Sequence, residues 1–479
     1  MADKKPFYLT TTIPYVNAAP HIGFSLEIVQ ADALARFKRL MGYDVFFNFG
    51  VDEHGQKIWQ KALENGQTPQ AYADEYAAKF SILKDKLNLT YDAFIRTTSP
   101  AHKHAAQEMW RRCKAAGDIY KQEYEIKYCV GCELEKTDSE LVDGHCPLHP
   151  ALELEIRLEE NYFFRLSKYQ ERLQELYKRT DFVVPNYRLN EMRSLAEDKG
   201  LQDFSISRLK AKMPWGVEVP DDESHVMYVW FDALVNYIST LGWPDDETKF
   251  KKFWNGSKDC VQMAGKDQVR QQATMWQAML MSASLPHTGL IFIHGFINSG
   301  GQKMSKSLGN VIDPVAIVDA YGVDALRYYL LRHISPTEDS DFTMEKFKEI
   351  YNANLANGLG NLVARIMQLA ETNLAEPVKV EWKPFPKEFS EKLEQFEINQ
   401  AFDYVFERMG ALDQTITQTE PFRIVKSDPE RGRELIAELV RELAAIDLML
   451  EPLLPQTSQK IIDAIMANKK PANMFARKE

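Results

Sequence analysis

The chain has 479 residues, of which 45% are hydrophobic and 27% charged, so its composition is that of a globular protein of about three domains. Its net charge of −11 argues against a protein that coats polyanions, although a local basic face is compatible with it. No apolar run approaches the ~18 residues of a membrane helix, and residues 1–15 lack the apolar core of a signal peptide. We therefore expect a cytoplasmic protein with no membrane partner.

The first fifty residues predict a strand, a helix and a second strand. Residues 7–13 are β-prone and short. A helix follows, because apolar side chains recur at spacings of three and four residues at Leu26, Val29, Ala33, Phe37 and Leu40. Gly42 ends this helix, and residues 44–49 have the composition of a buried strand. The unit is therefore βαβ, which requires a parallel sheet.

Further along the chain, the pattern changes twice. Thr68 and Ser99 are each followed by proline, which is typical of a helix N-terminus. Alternating residues after 118 indicate a β-rich insertion, and a strand over 226–231 indicates that the sheet then resumes. Beyond residue 342 the apolar spacing is helical. The predicted domains are residues 1–117 and 221–341 for the two halves of an α/β domain, 118–220 for the insertion, and 342–479 for an all-α domain.

His21 and Gly23 lie where the first loop enters the first helix. The unsatisfied N–H groups and the dipole at a helix N-terminus favour phosphate. Gly23 lets a phosphate or a ribose approach the backbone, and His21 can donate a hydrogen bond. The alternative is that the histidine only caps or packs the helix start.

Residues 303–307 (KMSKS) lie in a loop that is flanked by glycines. The ammonium groups of Lys303 and Lys306 can close over a triphosphate and neutralise the charge that develops on the leaving pyrophosphate. A solvated basic loop is the alternative when this motif is considered alone. The two motifs together, one after the first predicted strand and one after the last, indicate a nucleotide-activating site.

Five cysteines are too few for a disulfide framework in a chain of 479 residues. Two pairs with gaps of two residues form a Cys₃His set, for which zinc is the expected ion: Cys129 with Cys132, and Cys146 with His149. A closed four-ligand shell leaves no open coordination position, so we interpret this zinc as structural. His145 is a competing ligand because it adjoins Cys146.

Residues 14–23 (PYVNAAPHIG) and 303–307 resemble the HIGH and KMSKS signatures of class I aminoacyl-tRNA synthetases. Residues 52–55 (DEHG), 228–233 (YVWFDA) and 265–267 (GKD) resemble the methionyl-tRNA synthetases in particular, over essentially the whole chain. The resemblance implies an α/β fold with a Rossmann-like catalytic domain, a zinc-binding connective insertion and an all-α anticodon-binding helix bundle. It also implies a ligase that uses ATP with Mg²⁺ to form methionyl adenylate and then charges elongator and initiator methionine tRNA.

The resemblance assigns roles to individual residues. The implied ATP-binding residues are Asn17, His21, Gly23, Gly265, Lys266, Asp267, Lys303 and Lys306, of which His21, Lys303 and Lys306 are catalytic. The implied methionine-binding residues are Ile13, Tyr15, Asp52, Trp230, Ala233, Tyr237 and His294. These residue types suit methionine, because aromatic faces can surround a polarisable thioether and a carboxylate can bind the ammonium group. Outside the resemblance, ordinary core packing is the alternative for Trp230 and Tyr237.

The resemblance further implies one zinc knuckle and an anticodon-reading surface. Asn361 and Arg365 lie four residues apart, which puts them on one face of a helix. Their amide and guanidinium groups can read splayed bases, although polar residues at this spacing are usually a solvated face. Phe422 lies where the family commonly has a tryptophan that stacks on an anticodon base.

The sequence departs from the family pattern at two positions. Phe24 replaces the last histidine of the HIGH motif, and Gln272 lies where a histidine is common, so we expect both changes to remove polar groups from the nucleotide region. Two alternative functions therefore stay open: a class I synthetase for cysteine, leucine, isoleucine or valine, and a tRNA-binding or regulatory protein that has lost adenylation. The sequence ends at Glu479 without an appended oligonucleotide-binding barrel, which favours a monomer.

Overall fold

The structure, a computed structural model, describes residues 4–129, 134–136, 141–147, 150–304, 310–381 and 383–479. Three of the predicted site residues, Cys132, His149 and Lys306, lie outside the described residues. None of the helices in the described ranges combines the length and the apolar character that crossing a membrane requires.

The elements follow one another along the chain in four groups. Up to residue 117 they are β1 (Pro6–Thr10), α1 (Ile22–Leu40), β2 (Asp44–Val51), α2 (Gln56–Glu64), α3 (Pro69–Ser81), α4 (Leu83–Lys86), β3 (Ala93–Arg96) and α5 (Pro100–Ala115). Between 118 and 220 they are β4 (Ile119–Cys129), β5 (Leu134–Lys136), β6 (Glu155–Phe164), α6 (Gln170–Leu176), β7 (Val183–Val184), α7 (Asn186–Ser194), β8 (Phe204–Ser205), β9 (Ser207–Leu209) and β10 (Glu218–Val219).

The third group returns to the α/β pattern and the fourth is helical. The third contains β11 (Asp222–Met227), α8 (Val229–Ala233), α9 (Asn236–Ser239), α10 (Glu247–Phe253), β12 (Cys260–Gly265), α11 (Trp276–Ser282), β13 (Leu290–His294), β14 (Ile297–Ser299), β15 (Gln302–Lys303), α12 (Pro314–Tyr321), α13 (Val323–Tyr328) and β16 (Ser340–Phe342). The fourth contains α14 (Met344–Ile350), α15 (Asn361–Asn373), α16 (Lys387–Glu394), α17 (Ile398–Thr419), α18 (Pro421–Ser427), α19 (Pro429–Leu450) and α20 (Pro455–Ala467).

The central sheet is parallel and has the strand order β3-β2-β1-β12-β13-β7. After β1 the chain continues to β2 on one side, while β12 pairs with β1 on the other side. The strand order therefore reverses between β1 and β12. In open α/β sheets, ligands bind at such a switch point, outside the carboxyl ends of the strands. The predicted Rossmann-like sheet is confirmed. Ligand binding is expected at the carboxyl ends of β1 and β12, where the strand order reverses.

Helix α1 confirms the predicted βαβ unit. Leu26, Val29, Ala33 and Phe37 are buried on the face of α1 that packs on the sheet, whereas Leu40 in its last turn is 40% exposed. Gly42 follows the helix with a φ of +86°, a left-handed conformation that glycine adopts without strain. The spacing of apolar residues and this glycine therefore predicted both the buried face and the end of the helix.

The strand predicted over residues 226–231 differs from the structure. Strand β11 ends at Met227 and pairs antiparallel with β9 and β10 in a separate small sheet, while the next residues form α8. The prediction was wrong because β-branched and aromatic residues have a high strand propensity that tertiary packing overrides here. The parallel sheet resumes only at β12, and it also takes in β7 from inside the predicted insertion. The four domain ranges stay predictions.

Two hydrophobic cores cover the two faces of the central sheet. One core contains α1 together with the helices after residue 342, including the buried stripe of α17 at Ile398, Phe402, Val405, Met409, Leu412 and Ile416. The other contains α5, α8 and α11 with buried aromatic rings of Trp110, Phe231 and Trp276. Helix α1 therefore packs directly between the sheet and the helical region, so its N-terminus is held by both.

A buried ion pair strengthens this junction. The Arg327 guanidinium in α13 lies 2.8 Å from the Asp32 carboxylate in α1, and both side chains are fully buried. Arg327 also donates to the carbonyl oxygen of Leu453, just before α20. Removing either charge would leave the other buried without compensation, which typically costs ~3–5 kcal/mol. The position of α1 is thus tied to the last helices of the chain.

Candidate active site

His21 caps the N-terminus of α1 at the switch point of the sheet. The backbone N–H of Gly23 donates to His21 Nδ1 at 3.1 Å, so the proton of the neutral ring is on Nε2. Burial lowers the pKa of His21 to about 4. Near neutral pH the side chain is therefore an uncharged donor through Nε2, beside the N–H groups of a helix whose dipole favours anions.

The segments on both sides of residues 305–309 contact the start of α1. The Met304 methyl group lies 3.6 Å from the point where a Cβ on Gly23 would lie. The N–H of Ile22 donates to the carbonyl oxygen of Ile312 at 3.0 Å. The described residues that flank the segment 305–309 thus contact the helix N-terminus.

Phe24, on the first turn of α1, packs against aromatic neighbours. Its ring centroid lies 4.4 Å from that of His21 and 5.6 Å from that of Phe80. The Phe80 ring stands nearly perpendicular to it, a favourable arrangement for an aromatic pair. Phe24 therefore supports the His21 ring by packing, in the place where the family pattern has a polar side chain.

The end of β12 supplies the second side of the predicted ATP site. Gly265 is buried, and a Cβ at this position would lie 2.9 Å from the Asp267 carboxylate, so this turn is tightly folded. Lys266 pairs with Asp339 at 2.6 Å and keeps part of its side chain exposed. Asn17, in the loop between β1 and α1, is half-buried and its N–H donates to the carbonyl oxygen of Tyr15. These residues occupy the same carboxyl edge of the sheet as His21.

Tyr15 and Asp52 lie side by side beyond the ends of β1 and β2. They form a parallel β-bridge, in which the N–H of Val16 donates to the Asp52 carbonyl oxygen at 3.1 Å. The Tyr15 hydroxyl comes within 2.7 Å of the point where a Cβ on Gly55 would lie. Gly55 has a φ of +111°, so both its conformation and the tyrosine require a glycine here. The backbone thus places an aromatic ring beside a carboxylate.

Asp52 is a buried carboxylate without a cationic partner among the residues that the structure describes. It is 7% exposed; the N–H of His54 lies 3.4 Å from Oδ1, and the Thr97 side chain also hydrogen-bonds to the carboxylate. Burial raises its pKa well above the usual range, and the nearby charge of Asp232 adds to this effect. A cationic ligand would compensate the desolvated carboxylate, which makes this position suitable for an ammonium group.

Asp232 is held between two histidines, an arrangement that the sequence did not predict. His54 Nδ1 lies 2.6 Å and His102 Nε2 lies 2.8 Å from the two carboxylate oxygens, and all three side chains are buried. Burial acts to raise the pKa of Asp232, but the two histidines outweigh it and lower the pKa. These contacts fix α8 against the segment that carries Asp52. The available signals were Asp232 inside the otherwise apolar run 228–233 and His54 in the polar run 52–55.

Trp230 and Ala233 lie on α8, and Tyr237 follows on α9. Ala233 and Tyr237 are buried, and Trp230 is half-buried. The Tyr237 hydroxyl accepts a hydrogen bond from Gln272 Nε2 at 2.6 Å. Gln272 is buried against Tyr237, so our prediction that it removes a polar group from the nucleotide region was wrong. Its amide points instead to the residues predicted for the amino-acid pocket.

His294 ends β13, and Ile13 is half-buried in the loop after β1. His294 Nδ1 donates to the carbonyl oxygen of Gly295 and Nε2 donates to the Glu27 carboxylate, each at 2.7 Å. Burial acts to lower the pKa of His294, but the hydrogen bond and charge of Glu27 outweigh it and raise the pKa. Glu27 also accepts from the N–H of Thr12 at 2.6 Å. An acidic residue on the buried face of α1 was the signal for this missed group.

The predicted metal ligands are described only in part. Cys129, at the end of β4, and Cys146 are fully buried, whereas Cys132 and His149 lie outside the described residues. Within the described ranges, no group of three or more histidine, cysteine or acidic side chains is placed to hold a metal ion. His145 Nδ1 is buried with no hydrogen-bond partner in the same ranges. The burial of the two thiols and this nitrogen fits a zinc knuckle, with His145 still a competing ligand.

The predicted anticodon residues are exposed on the helical region. Asn361 begins α15, and Arg365 lies one turn later on the same helix face. The Arg365 guanidinium pairs with Asp413 on α17 at 2.5 Å and is 41% exposed. Phe422, in the first turn of α18, is 42% exposed. An exposed aromatic ring and an exposed arginine are groups that can stack on or bind unpaired bases.

The chain is similar to known proteins over nearly its full length. It matches the family of class I tRNA synthetases (M) over residues 7–153 and 140–367. It is 41% identical to a methionine–tRNA ligase of Nostoc sp., covering 96% of this chain and 89% of that protein. It is 38% identical to a methionine–tRNA ligase of Thermotoga maritima, covering 97% of this chain and 76% of that protein.

Solved structures agree with these matches. The Mycobacterium tuberculosis methionyl-tRNA synthetase in complex with methionyl-adenylate superposes with a TM-score of 0.86 at 36% identity, covering 99% of both chains. The free state of the M. tuberculosis enzyme superposes with a TM-score of 0.81 at 33% identity, covering 100% of this chain and 99% of that chain. The chain therefore belongs to the family of class I tRNA synthetases (M).

Proposed function

We propose that the protein is an ATP-dependent methionine–tRNA ligase, which forms methionyl adenylate and then charges methionine tRNA. One observation carries this proposal: the buried Asp52, which has no cationic partner among the described residues, lies beside Tyr15 at the same sheet edge as the α1 N-terminus. A pocket for an apolar amino acid next to an anion-binding helix end is what adenylation requires. The relatives named as methionine–tRNA ligases support the same function.

In the first step, the methionine carboxylate attacks the α-phosphorus of ATP, and the bond to pyrophosphate breaks as the new oxygen–phosphorus bond forms. We assign His21 as a neutral donor to phosphate, with Lys303 and Lys306 neutralising the pyrophosphate that leaves. ATP, accompanied by Mg²⁺, binds between the α1 N-terminus and the end of β12, with Asn17, Gly23, Gly265, Lys266 and Asp267 as its further contacts. Donors that are already positioned stabilise charge in the transition state without reorganisation.

The amino-acid pocket in this proposal is built around Asp52. Its carboxylate binds the ammonium group, and Tyr15, Trp230 and Tyr237 surround the side chain together with Ile13, Ala233 and His294. Thioether sulfur makes favourable contacts with aromatic rings, which suits a pocket that has to select methionine.

Pyrophosphate exchange measured with each of the twenty amino acids tests the proposal. We expect methionine to support ATP–pyrophosphate exchange, and leucine, isoleucine, valine and cysteine to support it poorly, because the pocket combines aromatic faces with one carboxylate. Omitting the amino acid is the control. Faster exchange with another amino acid would favour a different class I synthetase. No exchange with any amino acid, together with tRNA binding, would favour the regulatory alternative.

We propose that the insertion binds one structural zinc through Cys129, Cys132, Cys146 and His149. A zinc ion held there would join two short segments of the insertion and so stabilise a module too small to bury a large core. The complete burial of the Cys129 and Cys146 side chains supports this assignment.

Zinc analysis of freshly purified protein should find about one zinc per chain, as expected for a closed four-ligand site. Cys146→Ala should lose the zinc and loosen the insertion, because a ligand is removed. Cys113→Ala is the matched control, since Cys113 is also fully buried but lies in α5. Comparing His149→Ala with His145→Ala identifies the fourth ligand. A zinc-free wild-type protein purified without chelators would contradict the proposal.

We propose that Asn361, Arg365 and Phe422 read the anticodon of methionine tRNA. Their exposure on α15 and α18 leaves them accessible to unpaired bases. The site that activates methionine lies on the sheet, so the two activities can be separated by mutation.

Arg365→Ala should reduce tRNA charging, with a loss of about 1–3 kcal/mol if the guanidinium stacks on a base, while methionine-dependent pyrophosphate exchange stays unchanged. The matched control is Arg408→Ala, because Arg408 forms a similarly exposed ion pair, with Glu442. Losing an exposed pair costs at most ~1 kcal/mol of stability in either variant. Asn361→Ala and Phe422→Ala should behave like Arg365→Ala. Equal losses in charging and in exchange would show that these residues are structural.

We further propose that the protein works as a monomer in the cytoplasm, where methionine tRNA and ATP are available. Sedimentation equilibrium at several protein concentrations measures the oligomeric state directly. A concentration-independent mass close to the 55.2 kDa of one chain is the expected result.

A further inference from the structure

Glu27 is a buried acid on α1 that bridges two strands of the central sheet. One carboxylate oxygen accepts from the N–H of Thr12 at 2.6 Å and from the Thr12 hydroxyl at 2.7 Å. The other accepts from His294 Nε2 at 2.7 Å. Thr12 follows β1, and His294 is the last residue of β13. Because β12 lies between these two strands, the Glu27 bridge crosses the carboxyl end of β12.

The bridge adjoins both proposed substrate sites. His294 is the register partner of Gly265, the last residue of β12. A Cβ on Gly265 would lie 3.6 Å from His294 Cε1 and 2.9 Å from the Asp267 carboxylate, so the His294 ring lies beside the turn that is proposed to bind ATP. On the other side, burial raises the pKa of Tyr237 and the charge of Glu27 adds to this effect. Glu27 therefore lies between the ATP turn and the methionine pocket.

Both ring nitrogens of His294 face acceptors. Nδ1 lies 2.7 Å from the carbonyl oxygen of Gly295, and Nε2 lies 2.7 Å from the Glu27 carboxylate. Turning the ring over would put C–H groups at these two positions, where a carbon atom keeps a distance of ~3.3–3.6 Å from an oxygen. The short distances therefore determine the orientation of the ring. Since a carbonyl oxygen can only accept, Nδ1 carries a proton.

A second proton lies between His294 Nε2 and Glu27. The N–H and the hydroxyl of Thr12 both donate to the carboxylate, and such donors favour its ionised form. An imidazole also binds a proton more tightly than a carboxylate does, because the ordinary pKa values are ~6.5 for histidine and ~4.3 for glutamate. The proton therefore lies on Nε2. Both nitrogens of His294 are then protonated, and the ring forms a buried ion pair with Glu27.

Without this positive charge, Glu27 would oppose the proposed reaction. The methionine carboxylate and the ATP phosphates meet at this edge of the sheet, and like charges repel strongly where water is excluded. The titratable groups that face the pair are Asp267 beside β12 and Tyr237 on α9, and neither can supply a positive charge. Neutralisation of Glu27 therefore falls to His294.

We propose that His294 is a buried imidazolium that neutralises Glu27 and so keeps this edge of the sheet accessible to anionic substrates. The inference rests on the proposed function, which brings those anions to the edge. Both N–H groups of His294 are already used, so the ring acts on the substrates through its charge. Glu27 and His294 are thus a positioning pair, in which Glu27 joins the ends of β1 and β13 and His294 compensates its charge.

The protonation of His294 can be measured without any substrate. ¹⁵N NMR of protein that carries labelled histidine reports the protonation of each ring nitrogen, and His294→Gln identifies the His294 signals by their absence. We expect both nitrogens of His294 to be protonated at about pH 7, above the ordinary histidine pKa of ~6.5. A neutral His294 ring at this pH would overturn the inference.

The role of the charge is tested by removing it alone and then together with its partner. His294→Gln keeps a donor near Glu27 but removes the charge, so kcat/KM for ATP in pyrophosphate exchange should fall by about fivefold to a hundredfold, the range for a buried group left without its partner. Adding Glu27→Gln should recover most of this loss, because no uncompensated charge remains. His104→Gln is the matched control, since His104 pairs with Asp245 on the surface, and it should change little. A double variant as slow as His294→Gln would overturn the inference.

The pair also predicts how ATP use depends on pH. Burial acts to lower the pKa of His294, but the hydrogen bond and charge of Glu27 outweigh it and raise the pKa. As the pH rises through this pKa the ring loses its charge, so kcat/KM for ATP should fall, and Glu27→Gln should lack this component. Identical pH profiles in the two proteins would overturn the inference. Absence of methionine-dependent exchange in the unmodified protein would instead overturn the proposed function, an outcome that the substrate-free NMR measurement keeps distinct.

Discussion

Lys306→Ala should lower the rate of methionyl adenylate formation by about 10²- to 10³-fold, the range typical for loss of one preorganised group that stabilises developing charge. In the proposed mechanism this lysine acts on the pyrophosphate as it leaves, so the dissociation constant of methionine should change little. Met304 and Ile312, on either side of the segment 305–309 that includes Lys306, contact the start of α1. Single-turnover adenylation and methionine titration measure the two quantities separately.

Lys387→Ala is the matched control for this experiment. Lys387 begins α16 in the helical region, and its side chain is 83% exposed. Its removal should change neither the rate nor the affinity. A parallel loss of rate and methionine affinity in Lys306→Ala would mean that the loop shapes the amino-acid pocket, and would contradict a role confined to the transition state.

The parts of the fold that the sequence predicted correctly are those with local signals. The apolar spacing in α1 and the glycine that follows it specify a helix and its end within about twenty residues. Thr68 and Ser99 act as N-caps through their hydroxyl groups, as predicted. Each signal involves neighbours in sequence, so no knowledge of tertiary contacts is needed.

The parts that were missed depend on contacts between distant segments. Strand β7 has only two residues, and it belongs to the sheet because it pairs with β13. The hydrogen bond between Gln272 and Tyr237 joins two elements that are separated by 35 residues. No rule based on residue spacing predicts a hydrogen bond between such distant residues. The sequence analysis therefore assigned Gln272 to the nucleotide region, from its place in the family pattern alone.

In the candidate site, too, the sequence identified the residues that motifs mark and missed those that depend on contacts between distant segments. His21 and Asp52 were found because motifs mark them, and the structure places both at the carboxyl edge of the sheet. The sequence assigned no role to Glu27 or Asp232. Glu27 nevertheless raises the pKa of His294 against burial, and the charge of Asp232 adds to the effect of burial in raising the pKa of Asp52. Groups that act through a catalytic or binding residue are recognised only once their hydrogen bonds are known.

Asp52→Asn should weaken methionine binding by about 1.5–3 kcal/mol, the range for a hydrogen bond to a charged group. Asparagine keeps the shape of the side chain but removes the charge that the ammonium group requires. Isothermal titration with methionine measures the loss. Asp44→Asn is the matched control, because Asp44 begins the strand that Asp52 follows and pairs with Lys252 on the surface. An unchanged dissociation constant in Asp52→Asn would remove this residue from the pocket.

Asp52 should also make the affinity for methionine depend on pH, and the direction of this dependence follows from its pKa. Burial and the charge of Asp232 raise the pKa of Asp52, so in the free protein its carboxyl group takes up a proton at a higher pH than an exposed aspartate does. In our proposal the ammonium group binds the ionised form of Asp52, so methionine affinity should fall as the pH falls through that raised pKa. Asp52→Asn should abolish this component of the dependence. If the pH profile of methionine binding is the same in both proteins, another group controls it, and the ammonium contact of Asp52 is contradicted.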